Sequence, residues 1–238
     1  KEGFKTIAEL VIAARCKRDE RLMWAMTDAL TTNETFFFRD KTPFDIFRDT
    51  ILPDLMRKRG ANPKLRIWCA AASTGQEPYS LAMLLDEQRS IGRGVDAEII
   101  ATDISERVLE KARTGLYSQF EVQRGLPIQM LVKHFERNGD MWRISDRMRA
   151  AVRYQKFNLL DDPRALGRFD VVFVRNVLIY FEPAAKKQAL ERIASVMTDD
   201  AYLLLGAAET VMGVTEAFQG APNVRSLYQR NAAWRRAA

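Results

Sequence analysis

Apolar positions change period several times along the chain, and those changes mark out its elements. Phe4, Ile7, Leu10, Val11 and Ala14 follow helical spacing, as do Leu22, Met23, Met26 and Leu30, predicting two short helices over residues 4–16 and 19–30. Two such helices bury too little to stand alone, so they either pack on the main domain or belong to a larger helical domain. Residues 43–59 predict one kinked helix or two short ones, broken near Pro53 and closed by Gly60. Residues 65–69, 97–102 and 170–174 are short apolar runs that read as buried strands. Between them lie a helix through residues 79–85, entered at Pro78, and one over 105–113 that stops at Gly115. Pro183 opens an amphipathic helix with Leu190, Ile193 and Met197 on one face, and residues 201–205 and 224–230 supply two last strands joined through residues 206–219. Strands alternating with helices predict an α/β domain with a mainly parallel sheet.

One segment breaks this rhythm. Residues 127–135 read as a short helix, and Asn138-Gly139 then marks a hairpin turn between 133–137 and 141–144, with a further strand at 151–157. We expect a small antiparallel insertion at about residues 124–157. It holds a charge excess: residues 124–156 carry eight basic and three acidic side chains, and residues 217–238 carry four arginines and no acid. With a net charge of +6, these excesses suit an acidic protein partner, nucleic acid or anionic lipid, and a solvated face at least as well. Aromatic and basic residues do not interleave as in single-strand binders, so no nucleic-acid partner is expected. No apolar run approaches the roughly 20 residues that span a bilayer, and no signal peptide is evident. The only cysteines, Cys16 and Cys69, form no disulfide framework, which suits a reducing cytoplasm.

The stretch IWCAAASTGQEPYS from Ile67 joins a strand to a helix through six small residues, Ala70 to Gly75. Such a turn lets the backbone lie close to a ligand at the carboxyl edge of an open sheet. Its single glycine lacks the three-glycine dinucleotide fingerprint. Asp103 ends the next strand, where an acid accepts hydrogen bonds from ribose hydroxyls; the competing reading makes it a helix cap, a role Ser105 also suits. TTNETFFFRD from Thr31 places three phenylalanines before Arg39. They cannot share one helix face, so some line a pocket or pack between domains, leaving Arg39 either braced by them or solvated. His134, the single histidine, has no metal-ligand spacing around it, and no metal site is expected.

With these residues in view, the chain resembles the CheR-type chemotaxis receptor methyltransferases, which esterify glutamates with S-adenosylmethionine. The likeness rests on TTNETFFFRD from Thr31, AAASTGQEPYSLA from Ala70, ATDIS from Ala101 and FDVVFVRNVLIYF from Phe169, in that order. It implies a Rossmann-like class I methyltransferase fold: residues 1–30 as a remnant of a helical domain, 31–60 as linker and helices contributing to the cofactor site, and 61–238 as the catalytic domain. It implies S-adenosylmethionine, released as S-adenosylhomocysteine, held by Asn33, Thr35, Arg39, Glu77, Asp103, Asn158, Leu159, Arg175 and Asn176. Arg39 and Tyr180 would stand nearest the transferred methyl as catalytic residues. The implied partners are the cytoplasmic domains of methyl-accepting chemotaxis receptors, met by a monomer in the cytoplasm at membrane receptor arrays. Arg15, Lys17, Arg18, Arg21 and the hairpin would dock on them, without the longer loop of relatives that grip a receptor's C-terminal peptide. Two departures stand out: Gln76 where an acid is frequent, and Ala207-Ala208 before Glu209 in place of a more polar pair.

Overall fold

The computed structural model describes Phe4 and residues 6–17, 20–60, 63–222 and 224–234, in two compact units, Lys1–Glu34 and Thr35–Ala238. In the first, α1 (Ile7–Lys17) and α2 (Glu20–Leu30) share a small core of Ala13 and Leu22 packed by Leu10 and Met26. Arg21 is exposed there, whereas the side chains of Arg15, Lys17 and Arg18, expected on a basic face, lie outside the described residues. No helix among the described residues is long and apolar enough to cross a membrane.

The second unit opens with α3 (Thr42–Ile46), a π-helical turn (Phe47–Ile51) and α4 (Leu52–Arg59). The irregular turn comes just before Pro53 rather than at it. Proline has no N–H to give the preceding turn, and Leu52 instead donates back to the Phe47 carbonyl, the wider π spacing. Next come β1 (Lys64–Ala70), α5 (Gln76–Ser90), β2 (Asp96–Asp103), α6 (Glu106–Thr114), β3 (Leu116–Ser118), α7 (Gln119–Gln123), α8 (Ile128–His134), β4 (Phe135–Asn138), β5 (Met141–Ile144), α9 (Asp146–Ala150) and β6 (Val152–Lys156). The chain ends with β7 (Phe169–Val174), α10 (Pro183–Ser195), β8 (Met197–Leu205), β9 (Phe218–Gly220) and β10 (Leu227–Arg230).

Seven strands form one sheet in the order β6-β2-β1-β7-β8-β10-β9. The first five run parallel, while β10 and β9 are antiparallel. This mixed, mainly parallel sheet is the expected α/β architecture. Its central strands are apolar on both sides, as helices on both faces require. Along β1, Leu65, Ile67 and Cys69 point into one cluster, and Trp68 and Ala70 into the other.

The structure corrects several sequence expectations. Strand 151–157 does not belong to the insertion: β6 pairs with β2 at the edge of the main sheet. The small sheet is β3-β5-β4, so it begins at Leu116, well before residue 124. Hairpin residues Asn138 and Met141 face each other, which makes Gly139-Asp140 the turn and shifts it by one position. Met197 opens β8 instead of continuing α10, and β9 adds a strand inside the segment read as a plain connection. Pro78 is the third residue of α5, not the first; any first-turn position tolerates it, because those N–H groups lack helical partners.

Candidate functional site

The carboxyl ends of β6, β2, β1 and β7 lie side by side, with Ala70 facing both Thr102 and Val174 and Asp103 facing Lys156. Beyond β1 the turn runs through Ala71, Ser73 and Gly75 at φ of 62°, 51° and 94°. Two non-glycine residues in left-handed geometry mark a backbone shaped by its surroundings. The Ser73 N–H donates to Asp103 Oδ2 at 2.8 Å, the Ala72 N–H to the Thr102 carbonyl at 2.9 Å, and the Ser105 N–H to Asp103 Oδ1 at 3.0 Å. Ser105 caps α6, accepting from Val108 N–H. Asp103 is therefore not that cap; its buried carboxylate ties the two turns together.

Below Gly75 stands an aromatic floor. Tyr117 donates to the Thr74 carbonyl at 2.8 Å and Tyr79 to the Ala112 carbonyl at 2.8 Å. A Cβ on Gly75 would meet Tyr154 Oη at 2.7 Å and Ala112 Cβ at 2.9 Å, so the turn closes this tightly only with glycine there. Burial pushes the phenol pKa values of Tyr79, Tyr117 and Tyr154 upward, leaving all three neutral, with Tyr79 and Tyr117 as hydrogen-bonding props.

Glu77, in the first turn of α5, is 9% exposed. Burial holds its carboxyl above the usual carboxylate range, while Arg175 pulls it back. Arg175, one step past β7, donates Nη1 to Glu77 Oε2 at 2.8 Å and Nη2 to the Arg39 carbonyl at 2.6 Å and Asp40 Oδ2 at 2.9 Å. Its Nε is buried without a hydrogen-bond partner among the described residues. One guanidinium thus joins β7, α5 and the linker. The Phe38 N–H donates to Ser80 Oγ at 3.0 Å, a second tie between linker and α5.

The three phenylalanines divide as their sequence required. Phe37 is fully buried, edge-on to Tyr117 and Phe135 with centroids 5.0 and 5.5 Å away; burying such a ring contributes about 1.5–3 kcal/mol. Phe38 meets Phe44. Phe36 carries the guanidiniums of Arg124 and Arg39 over its ring at 4.3 and 5.7 Å. Arg39 is therefore the braced arginine of the two sequence alternatives, and it is half-buried.

Of the remaining expected residues, Thr35 is half-buried at the start of this unit. Asn33 belongs to the first unit, where its amide donates to the Thr31 carbonyl and hydroxyl at 3.3 Å. Asn158 accepts from Leu160 N–H at 3.0 Å, and Leu159 is buried. Both follow Phe157, whose N–H bonds the Asp103 carbonyl at 2.9 Å. Asn176, at φ 58°, and Tyr180, 63% exposed, lie on the segment after β7. The structure therefore gathers Arg39, Glu77 and Arg175, and brings residues 158 and 159 beside Asp103. Gln76, the departure from the family pattern, is buried and accepts from the Thr74 hydroxyl at 2.8 Å.

Sequence reasoning missed Tyr79, Tyr117, Ser80 and Glu209. All act on backbone groups distant in the chain, which leaves no local pattern to read. It also missed that Asp86, Glu87 and His134 offer ligand atoms within 4.8 Å of one another. There Arg147 already bonds Asp86 at 2.7 Å and Lys133 bonds Glu87 at 2.5 Å; burial lowers the pKa of His134, so its ring is neutral. These pairs also revise the charge picture. Lys133, Arg147 and Arg153 of the basic segment pair with Glu87, Asp86 and Glu98 outside it, and Arg143 and Arg149 share Asp146. Much of the local excess is bound into the fold.

Comparison with known proteins agrees with this geometry. The family described as CheR methyltransferase, SAM binding domain, matches residues 33–226. Chemotaxis protein methyltransferase Cher2 of Pseudomonas putida is 39% identical over 222 residues, covering 92% of this chain and 80% of that protein. Chemotaxis protein methyltransferase 1 of Pseudomonas aeruginosa is 39% identical over the same shares. A chemotaxis protein methyltransferase of Vibrio anguillarum is 41% identical over 206 residues, 85% of this chain and 74% of that protein.

Proposed function

The chain belongs to the CheR methyltransferase family and is an S-adenosylmethionine-dependent methyltransferase of the chemotaxis type, and from that premise we propose that it methylates glutamate side chains on the cytoplasmic domains of chemotaxis receptors. The observation that carries this reading is the pair of buried carboxylates at the carboxyl edge of the sheet, Glu77 in the first turn of α5 and Asp103 at the end of β2, with the half-buried Arg39 on the linker. A cationic donor bearing an ammonium and a ribose diol fits that set: an acid for the ammonium, a second acid for the hydroxyls, and Asn158 and Leu159 beside it for the adenine. When bound, S-adenosylmethionine supplies an electrophilic methyl on a positively charged sulfur.

The protein's own task is then positioning. A glutamate carboxylate, with a reference pKa of about 4.3, is ionised at neutral pH and needs no base. This accounts for a site with no histidine or reactive thiol among its expected residues. Arg39 orients the incoming carboxylate through its planar fork. Tyr180 forms the outer wall of the approach. Alignment of this kind is worth several powers of ten in rate, and exclusion of water favours a reaction in which opposite charges cancel. Arg175 holds Glu77 and the linker in register, and Asn176 and Thr35 complete the cofactor's surroundings. The receptor would meet the exposed Arg137 and Arg143 of the hairpin, with the enzyme a cytoplasmic monomer recruited to receptor arrays.

Two variants test this assignment. Asp103→Ala should weaken S-adenosylhomocysteine binding by about 1–3 kcal/mol, the worth of charged hydrogen bonds. Arg39→Lys, which keeps charge but loses the fork, should lower methyl transfer to a receptor domain far more than it lowers stability. Unchanged affinity in folded Asp103→Ala would reduce Asp103 to a tie between turns, and parent-rate transfer by Arg39→Lys would remove Arg39 from the carboxylate.

A further inference from the structure

Glu209 stands in the segment between β8 and β9 and is 5% exposed. Its Oε1 accepts the N–H groups of Val177, Leu178 and Ile179 at 3.0, 2.7 and 3.3 Å, and its Oε2 those of Asn176 and Gly206 at 2.9 and 2.8 Å. Four consecutive N–H groups turned to one point make an anion-binding nest, and here the chain fills it with its own carboxylate. The left-handed Asn176, φ 58°, turns the chain into that arrangement. Gly206 allows the approach, because a Cβ there would lie 2.7 Å from Glu209 Oε2 and 3.0 Å from the Asn176 nitrogen. The turn Leu178–Tyr180 overlaps the nest, and the Tyr180 N–H closes it on the Val177 carbonyl at 3.2 Å. Asn176 directly follows Arg175, which bonds Glu77 at 2.8 Å, so the clamp borders the proposed donor site.

We propose that Glu209 is a positioning residue for methyl transfer: its carboxylate fixes residues 176–179 and through them the placement of Asn176 and Tyr180. The inference rests on the proposed function. It has a corollary for the substrate. The nest is occupied from within, so an incoming glutamate carboxylate is excluded from those N–H groups and left to Arg39. The side-chain type matters as well as the bonds. Glutamine has one acceptor oxygen, and its amide nitrogen would face N–H groups that also need an acceptor.

The test reads structure and rate separately. In the parent, amides 176–179 should exchange slowly with deuterium although Ile179 is 45% exposed, and Glu209→Gln should release them. Methyl transfer to a receptor domain should fall at least about tenfold in kcat for Glu209→Gln, with Glu209→Asp recovering part of it. Glu209→Ala opens room for a small anion, so formate should restore rate in that variant. Formate should not restore Glu209→Gln, where the space is filled, and chloride at equal ionic strength should restore neither. Parent amides that exchange like an open loop, a folded Glu209→Ala working at parent rate, or formate raising Tm without raising rate would each overturn the proposal. If Glu209→Ala does not fold, parent exchange and the Gln–Asp comparison still decide. A parent that binds S-adenosylhomocysteine yet methylates no receptor domain would refute the functional reading instead, and amide exchange would still report on the clamp.

Discussion

Arg175 and Glu77, from the end of β7 and the start of α5, meet at 2.8 Å with the arginine side chain 1% exposed. Burying two charges costs more than a surface pair returns, and removing one partner strands the other. Arg175→Met should therefore destabilise the fold by about 3–5 kcal/mol, Glu77→Gln by less, and the double variant should recover much of the loss. The pH dependence has a definite sign. Burial already holds the Glu77 carboxyl above its usual range, and a raised folded pKa gives stability that is present in acid and lost as pH rises through that pKa. Without Arg175 that loss should deepen and shift toward neutral pH. Urea titrations of the variants across pH would show it; a pH-independent Arg175→Met deficit would contradict it.

Gly75 offers a steric prediction. At φ 94° and within 2.7 Å of Tyr154 Oη for an added Cβ, Gly75→Ala combines left-handed strain with displacement of the tyrosine floor. Gly139, at φ 60° with nothing within 4 Å, carries the backbone cost alone, about 1–2 kcal/mol. Denaturant midpoints should show Gly75→Ala losing clearly more stability than Gly139→Ala, and only the former should weaken cofactor binding.

In the amino-terminal halves of β7 and β8, Arg59 donates Nε to Asp200 at 2.8 Å, Nη1 to Asp170 at 2.6 Å and Nη2 to Thr198 at 3.0 Å. The Arg59 hydrogen bonds hold the Asp200 carboxyl below its usual range. A depressed carboxylate pKa contributes stability above the ordinary value of about 3.9 and loses it as pH falls through the folded pKa. The stability gap between parent and Asp200→Asn should be flat near neutral pH and close in acid, measured by urea unfolding from pH 7 downward. A gap that persists unchanged into acid would separate Arg59 from the effect.

What could be read from the sequence follows the range of the forces involved. Apolar periodicity and small-residue turns act over a few positions, so β1, β2, β7 and the turn before α5 were legible, as were Gly115 and Ser105 at the ends of α6. Partner choice was not. The strand at Val152–Lys156 has the same local pattern whether it joins the hairpin or the main sheet, and only its register with β2 decides. Met197 fits a helix face as well as a strand, and the choice fell to pairing with Phe169. Glu77, Asp103 and Arg175 carried type and place in sequence. Their bonds to each other's turns, and the hold of Glu209 on residues 176–179, join residues 30 or more positions apart, beyond any local pattern.

The central claim is methyl transfer to a receptor carboxylate, and the chemistry of the product tests it most directly. The protein would be incubated with methyl-labelled S-adenosylmethionine and a chemotaxis receptor cytoplasmic domain, with RNA in a parallel reaction, and the labelled product treated with mild alkali. An ester releases its label as methanol, whereas a methyl on nitrogen or a nucleobase stays in place. The account predicts alkali-labile label on receptor glutamates and none on RNA. Alkali-stable label, label on RNA, or no transfer by a protein that binds the donor would contradict it.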